Sequence, residues 1–275
     1  MTSTAIIIPA RYGSTRFPGK PLAMIAGKTL LQRVVLLAQK ALQDLPNAQV
    51  LVATDNARIR DHADMLGVAS VMTPAECPTG SDRVLAAAKQ LPQLPDILVN
   101  LQGDAPLTPP RFLRQLIQTL IALPQADAAT PVAPLSWAEL DALRNAKLTT
   151  PFSGTTAVVD AQGKALWFSK NILPALRKEA EWRKSDQPCP VLRHIGLYAY
   201  RTLALERFVT LPEGRYEALE GLEQLRLLEH GMHLQTVTVD YGPRPSASGV
   251  DTPEDARRIE ALLAQYGDPL DDPLP

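Results

Sequence analysis

The sequence predicts an α/β fold, a doubly wound sheet that is mixed but mainly parallel, with a smaller subdomain inserted into it. Three observations carry the prediction. Short apolar runs at residues 5–8, 49–54 and 96–101 each lead straight into a polar loop, as strands buried on both faces of a parallel sheet do. Stretches with apolar residues at helical spacing separate them, at 29–42, 57–66 and 81–91, and strands alternating with helices are the mark of βαβ units. From about residue 136 that alternation gives way to a different rhythm.

In chain order, the first strand runs to Pro9, and a polar loop with two glycines leads to the first helix. QVLVAT and DILVNL repeat the pattern of an apolar run opening into a loop. Pro109 stands where a helical first turn tolerates proline, so a helix is expected over 111–123 and a strand over 128–132. Then come a short helix, a hairpin of strands 156–159 and 165–169 around Gln162-Gly163, and a polar, proline-bounded segment; this insertion is expected to pair with a second subunit. Leu219, Leu222, Leu225 and Leu228 predict one amphipathic helix over 216–230, and residues 251–265 predict another. The Asp- and Pro-rich tail from Gly267 is expected to fray. The expected organisation is an α/β core over 1–135, an insertion over 136–200 and a return to the core over 201–275.

A chain of 275 residues with 45% apolar composition can bury a sizeable core. Its net charge of −1 provides no global positive field, which argues against nucleic acid as a partner. The start carries no basic segment and only a short apolar run, so no membrane insertion and a cytoplasmic location are expected. Cys77 and Cys189 lie far apart and outside any metal-ligand spacing, which predicts free thiols.

The segment PARYGSTRFPGKP places Arg11, Arg16 and Lys20 on one loop with Gly13, Ser14, Thr15 and Gly19. Glycines allow close backbone approach, exposed N–H groups form an anion-binding concavity, and the cations add charge-assisted bonds to phosphate oxygens. The carboxyl end of a first strand is also where open α/β sheets bind ligands. The other reading is a solvated basic loop. The loop matches neither the P-loop pattern nor GxGxxG. NLQGDAP, at 100–106, brings Gln102 and Asp104 to the same sheet edge, and GVDTPED, at 249–255, supplies Asp251. Two loop carboxylates suffice for magnesium, which completes its shell with phosphates and water. From spacing alone, Asp251 reads equally well as a helix N-cap.

PARYGSTRFPGKPL resembles the signature loop of sugar-activating nucleotidyltransferases, and specifically of the CMP-Kdo synthetases (3-deoxy-manno-octulosonate cytidylyltransferases). NLQGDAP, TGSDR (79–83), RHIGLYAY (193–200), LEQLRLLEHG (222–231) and GVDTPED continue the resemblance over nearly the whole chain. It implies a Rossmann-like nucleotidyltransferase fold with a dimerisation subdomain, and magnesium-dependent transfer of CMP from CTP to an acidic 2-keto sugar for lipopolysaccharide synthesis, in a homodimer. By that resemblance Pro9, Ala10, Arg11, Ser14, Arg16, Lys20, Thr73, Ser81 and Arg83 would contact the nucleotide. Asp104 and Asp251 would bind Mg²⁺ and, with Arg16 and Lys20, form the catalytic set. Gln102, His194, Tyr198, Glu223 and Gln224 would line the sugar pocket.

The chain departs from the family pattern at Ala105, where QGDEP has Glu, near Cys77, where a His precedes SGT, and at Thr156, in place of a lysine. These changes leave the sugar open between Kdo, an amino-substituted Kdo and another acidic 2-keto sugar. They also leave two alternatives: a nucleotidyltransferase of the CMP-sialic acid synthetase type, and a weakened paralogue that binds CTP or sugar.

Overall fold

The computed structural model describes residues 2–13, 16–246 and 249–274. The elements are β1 (Thr4–Ala10), a 3-10 turn (Lys20–Leu22), β2 (Met24–Ile25), β3 (Lys28–Thr29), α1 (Leu30–Ala41), β4 (Ala48–Thr54), α2 (Ala57–Met65), β5 (Ala69–Met72), α3 (Gly80–Ala88), β6 (Ile97–Asn100), α4 (Pro110–Ala122), β7 (Ala128–Pro134), α5 (Trp137–Lys147), β8 (Thr156–Val159), β9 (Ala165–Ser169), α6 (Glu179–Lys184), β10 (Leu192–His194), β11 (Tyr198–Arg201), α7 (Thr202–Thr210), α8 (Arg215–Glu220), α9 (Gln224–Glu229), β12 (Leu234–Thr238), α10 (Pro253–Tyr266) and a final 3-10 turn (Pro269–Asp271). They form two compact units, one of Met1–Ala122, Leu197–Val209 and Tyr241–Pro275, the other of Leu123–Gly196 and Thr210–Asp240.

In the first unit the strands lie in the order β5-β4-β1-β6-β11. β5, β4, β1 and β6 are mutually parallel and β11 runs antiparallel to β6, so the sheet is mixed and mainly parallel. Ile6, Ile7 and Ile8 are all fully buried, because helices cover a parallel sheet on both faces and successive side chains find no solvent side. α3 packs on β1 and β6, and α1 packs on α4. α4 opens at Pro110, one residue before the expected start at 111.

In the second unit β12 pairs parallel to β7, β10 lies antiparallel between β7 and β8, and β8 and β9 form the expected hairpin. Asp160 Oδ1 accepts the N–H groups of Gln162 and Lys164 in its turn, the local side-chain closure that makes Asp a turn residue. Both cysteines are free and buried. No helix among the described residues is long and apolar enough to cross a membrane.

Two sequence expectations are corrected. The helix expected over 216–230 is two helices, broken at Gly221, whose φ of 62° is left-handed. The leucine spacing reads through the break in sequence, but the buried face does not: Leu222 and Leu225 are buried while Leu219 is 71% exposed. The turn lets Arg226 fold back on Glu217, with Nε and Nη2 donating at 2.7 and 2.5 Å. The tail from Gly267 is docked. Arg33, which is 2% exposed, donates to Asp268 at 2.8 Å, and Arg111 and Arg244 both donate to Asp272. A buried guanidinium needs a fixed acceptor, and the tail provides one.

Candidate active site

The carboxyl ends of β1 and β6 and the start of α10 bring three loops together in the first unit. β1 ends at Ala10, and the loop after it turns at Gly19, φ 70°, directly before the Lys20 turn. A Cβ on Gly19 would meet the Tyr12 ring at 3.4 Å. The loop after β6 passes so close to β1 that a Cβ on Gly103 would stand 2.6 Å from the Pro9 carbonyl oxygen. The third loop is held to the second by Val250 N–H, which donates to Asp104 O at 2.8 Å. A Cβ on Gly249 would fall 2.9 Å from that same oxygen.

Lys20 Nζ donates to Asp104 Oδ2 at 2.8 Å and to Asp251 Oδ1 at 3.3 Å, and Arg16 Nη2 lies 3.2 Å from Asp251 Oδ2. The four residues read from the sequence as the catalytic set thus meet at one rim. The N-cap alternative for Asp251 is decided as well. Thr252 caps α10 in a capping box with Asp255, which leaves the Asp251 side chain to Lys20 and Arg16.

Beside this cluster is a cleft of ≈ 310 Å³ lined by Pro9, Ala10, Arg11, Gly13, Lys20, Pro21, Pro78, Thr79, Gly80, Gln102, Gly103 and Asp104. Arg11 Nη2 donates to the Cys77 carbonyl, so the residue at that departure contributes its backbone. Gln102 Nε2 donates to Asn100 Oδ1 at 3.1 Å. Ser14 lies outside the described residues.

Thr73 and Arg83 are buried at the ends of neighbouring elements. Arg83 Nη1 donates to Thr73 Oγ1 at 2.5 Å and Nη2 to Asp55 Oδ2 at 3.0 Å. Among the described residues, Arg83 Nε and Ser81 Oγ are buried without a hydrogen-bond partner. Asp55, directly after β4, is a residue that sequence reasoning missed. Its signal was its place at the carboxyl end of a buried strand. Tyr12, whose hydroxyl accepts from Arg58 Nη1 at 2.9 Å, was missed too, because nothing in the spacing links it to α2.

Of the residues expected on the sugar side, Gln102 and Tyr198 belong to the first unit. Tyr198, in β11, stacks on Tyr200 with ring centroids 5.8 Å apart. His194, Glu223 and Gln224 belong to the second unit. There His194 Nε2 pairs with Thr130 Oγ1 at 2.9 Å, its Nδ1 is 3.5 Å from Gln224 Nε2, and Phe168 meets the ring edge-on. Gln224 is 4% exposed, so this stretch is not a wet helix face. Thr156, the third departure, is buried with its hydroxyl donating to Asn171 O and accepting from Leu173 N–H.

Burial, and then the charge of Lys170, push His194 down to about 3. The unfolded chain takes up this proton near pH 6.5 and the folded one does not, so stability is complete above 6.5 and declines as pH falls toward 3. Unfolding in urea at pH 5.5 against pH 7.5 is expected to show a loss on the order of 1 kcal/mol from this residue. The His194→Asn variant should lack that component.

A cytidylyltransferase family model matches residues 5–234. The 3-deoxy-manno-octulosonate cytidylyltransferase of Maricaulis maris (strain MCS10) is 44% identical over 97% of this chain and 99% of its own. The chain belongs to the 3-deoxy-manno-octulosonate cytidylyltransferase family. The enzyme of the same name from Bdellovibrio bacteriovorus is 40% identical to this cytidylyltransferase over 95% of the chain and 98% of its own. A solved structure of CMP:2-keto-3-deoxy-manno-octonic acid synthetase complexed with CTP superposes with a TM-score of 0.82 at 35% identity, covering 96% of this cytidylyltransferase and 99% of that chain. The family model ends at residue 234, so Asp251 is reached only by the full-length relatives.

Proposed function

We propose that this cytidylyltransferase transfers CMP from CTP to a hydroxyl of 3-deoxy-manno-octulosonate, with Mg²⁺ held by Asp104 and Asp251. The observation that carries the reading is the convergence of both carboxylates on one point, now occupied by the Lys20 ammonium at 2.8 and 3.3 Å. A pair of carboxylates able to share one cation fits an ion that takes few protein ligands and fills its shell with phosphate and water. Among the described residues no cluster of three or more His, Cys, Asp or Glu forms a closed metal cage.

The chemistry is governed by charge. A sugar carboxylate must approach a triphosphate, and like charges a few ångströms apart in a site of intermediate dielectric repel by several kcal/mol. Bound Mg²⁺ would neutralise phosphate charge and polarise the α-phosphoryl group. Arg11, Arg16 and Lys20 add fixed cations on the loop after β1, where the pyrophosphate leaving group accumulates charge. The hydroxyl oxygen bonds to the α-phosphorus, the bond to the bridging oxygen breaks, and pyrophosphate leaves. Ser81 Oγ and Arg83 Nε, buried without partners beside Gly80, are polar atoms a bound nucleotide would satisfy. Gln102, on the cleft wall, is assigned to the sugar.

The homodimer expected from the insertion would have Leu148, Phe152, Leu166 and Leu219, apolar side chains that the second unit leaves exposed, as candidates for its interface. Light scattering of the purified chain tests it. The activity is tested by pyrophosphate release with CTP and Mg²⁺ over a panel of acidic sugars. Turnover with 3-deoxy-manno-octulosonate is the expected result. Turnover with a sialic acid alone, or CTP binding without turnover on any sugar, overturns the reading.

A further inference from the structure

Six residues beyond Lys20, the chain makes a tight hairpin between β2 and β3, with Met24 opposite Thr29 and Ile25 opposite Lys28. Its two turn residues are Ala26 and Gly27, with φ of 46° and 77°, the doubly left-handed geometry of a type I′ turn. Glycine adopts that backbone freely, whereas alanine holds it only where its surroundings fix it. Here they do. Ala26 N–H donates to Glu260 Oε1 at 2.7 Å, and Ala26 O accepts from Arg33 Nη2 at 2.9 Å. Arg33 Nε takes Ile25 O at 2.6 Å, and its Nη1 takes Asp268 Oδ2 at 2.8 Å.

Glu260 sits on α10, and Asp268 lies just beyond that helix's last residue, while Asp251 lies just before its first. The segment from Lys20 to Ala26 and the segment from Asp251 to Glu260 are therefore joined twice, by the Lys20–Asp251 ion pair and by the Ala26–Glu260 hydrogen bond. Ala23 N–H donates to Lys20 O at 3.0 Å and Leu30 N–H to Ala23 O at 2.8 Å, so the Lys20 turn and the hairpin are coupled through the backbone. The Asp251 side chain is 45% exposed, and an exposed ion pair fixes little by itself. The buried guanidinium at the other end provides the rigidity.

Resting on the catalytic reading above, we propose that the Ala26–Gly27 turn, gripped by Arg33 and Glu260, sets the position of Asp251 opposite Lys20. Glu260 is then a positioning residue for the metal-binding carboxylate, although it touches neither metal nor substrate.

The test is Mn²⁺ binding in the presence of CTP, followed by electron paramagnetic resonance on the full-length chain, with melting temperature in parallel. Glu260→Ala is expected to weaken Mn²⁺ binding about fivefold, less than the roughly 10–100-fold contributed by groups that hydrogen-bond a metal ligand directly, because Glu260 acts through the turn. Glu260→Gln keeps an acceptor oxygen for Ala26 N–H and is expected to remain within about twofold of wild type. Because Glu260 is exposed, both variants should melt close to wild type. Wild-type binding by Glu260→Ala, or an equal loss in Glu260→Gln, overturns the proposal. A wild-type chain that binds no Mn²⁺ with CTP overturns the catalytic reading itself, and the role of the grip falls with it.

Discussion

Asp104→Asn is expected to lower kcat for pyrophosphate release by at least about a hundredfold, a loss of about 2.7 kcal/mol of transition-state stabilisation. The amide keeps the size of the side chain and one oxygen, so Lys20 retains a hydrogen-bond acceptor at the 2.8 Å position. What disappears is the negative charge that, with Asp251, would hold a divalent ion against phosphate. Raising Mg²⁺ should recover part of the rate, because Asp251 and the phosphates remain as ligands, and the melting temperature should change little. A variant retaining more than a tenth of wild-type kcat at saturating CTP and sugar would show that Asp104 is not a metal ligand in the transition state.

Asp55→Ala is expected to destabilise the ligand-free chain by about 3 kcal/mol, because truncating one partner of a buried pair leaves a charge without compensation. The Arg83 side chain is 0% exposed and Asp55 18%, and without Asp55 the guanidinium keeps, among the described residues, only Thr73 Oγ1 as a partner. The urea midpoint should fall by about 1 M with the slope unchanged. Asp55→Asn, which keeps an acceptor, should cost less. Combining Asp55→Ala with Arg83→Met should recover more than half of the loss, since no buried charge is then stranded. A double variant no more stable than Asp55→Ala would mean that burial of Arg83 is not the source of the effect.

The sheet and the rim of the site were legible in the sequence for one reason: their signals are local. The isoleucines of β1 announce a strand buried on both faces, and Arg11, Arg16 and Lys20 on one short loop announce a concentration of positive charge at its end. Asp104 and Asp251 were legible as types at strand and helix ends, but the spacing could not decide between ligand and cap at Asp251. Thr252 takes the capping role and so removes the cap reading. What stayed hidden depends on partners distant in sequence. Asp268 and Asp272 look like a solvated tail until Arg33, Arg111 and Arg244 are folded against them. Asp55 carries no motif of its own, and its meaning lies in Arg83, which closes on it from α3. Gly221 is an ordinary glycine in a leucine-rich stretch until its left-handed backbone shows that the helix ends there.

The contacts at Gly103 and Gly249 bear on how the enzyme can be reshaped. At these two places main chain runs against main chain, with 2.6 Å and 2.9 Å left for the first carbon of any side chain. Even alanine would wedge the three loops apart and separate Asp104 from Asp251. Libraries built to broaden the range of accepted sugars should leave both glycines untouched and vary the walls around them, for there the bulk of a new group is taken up by solvent rather than by the frame.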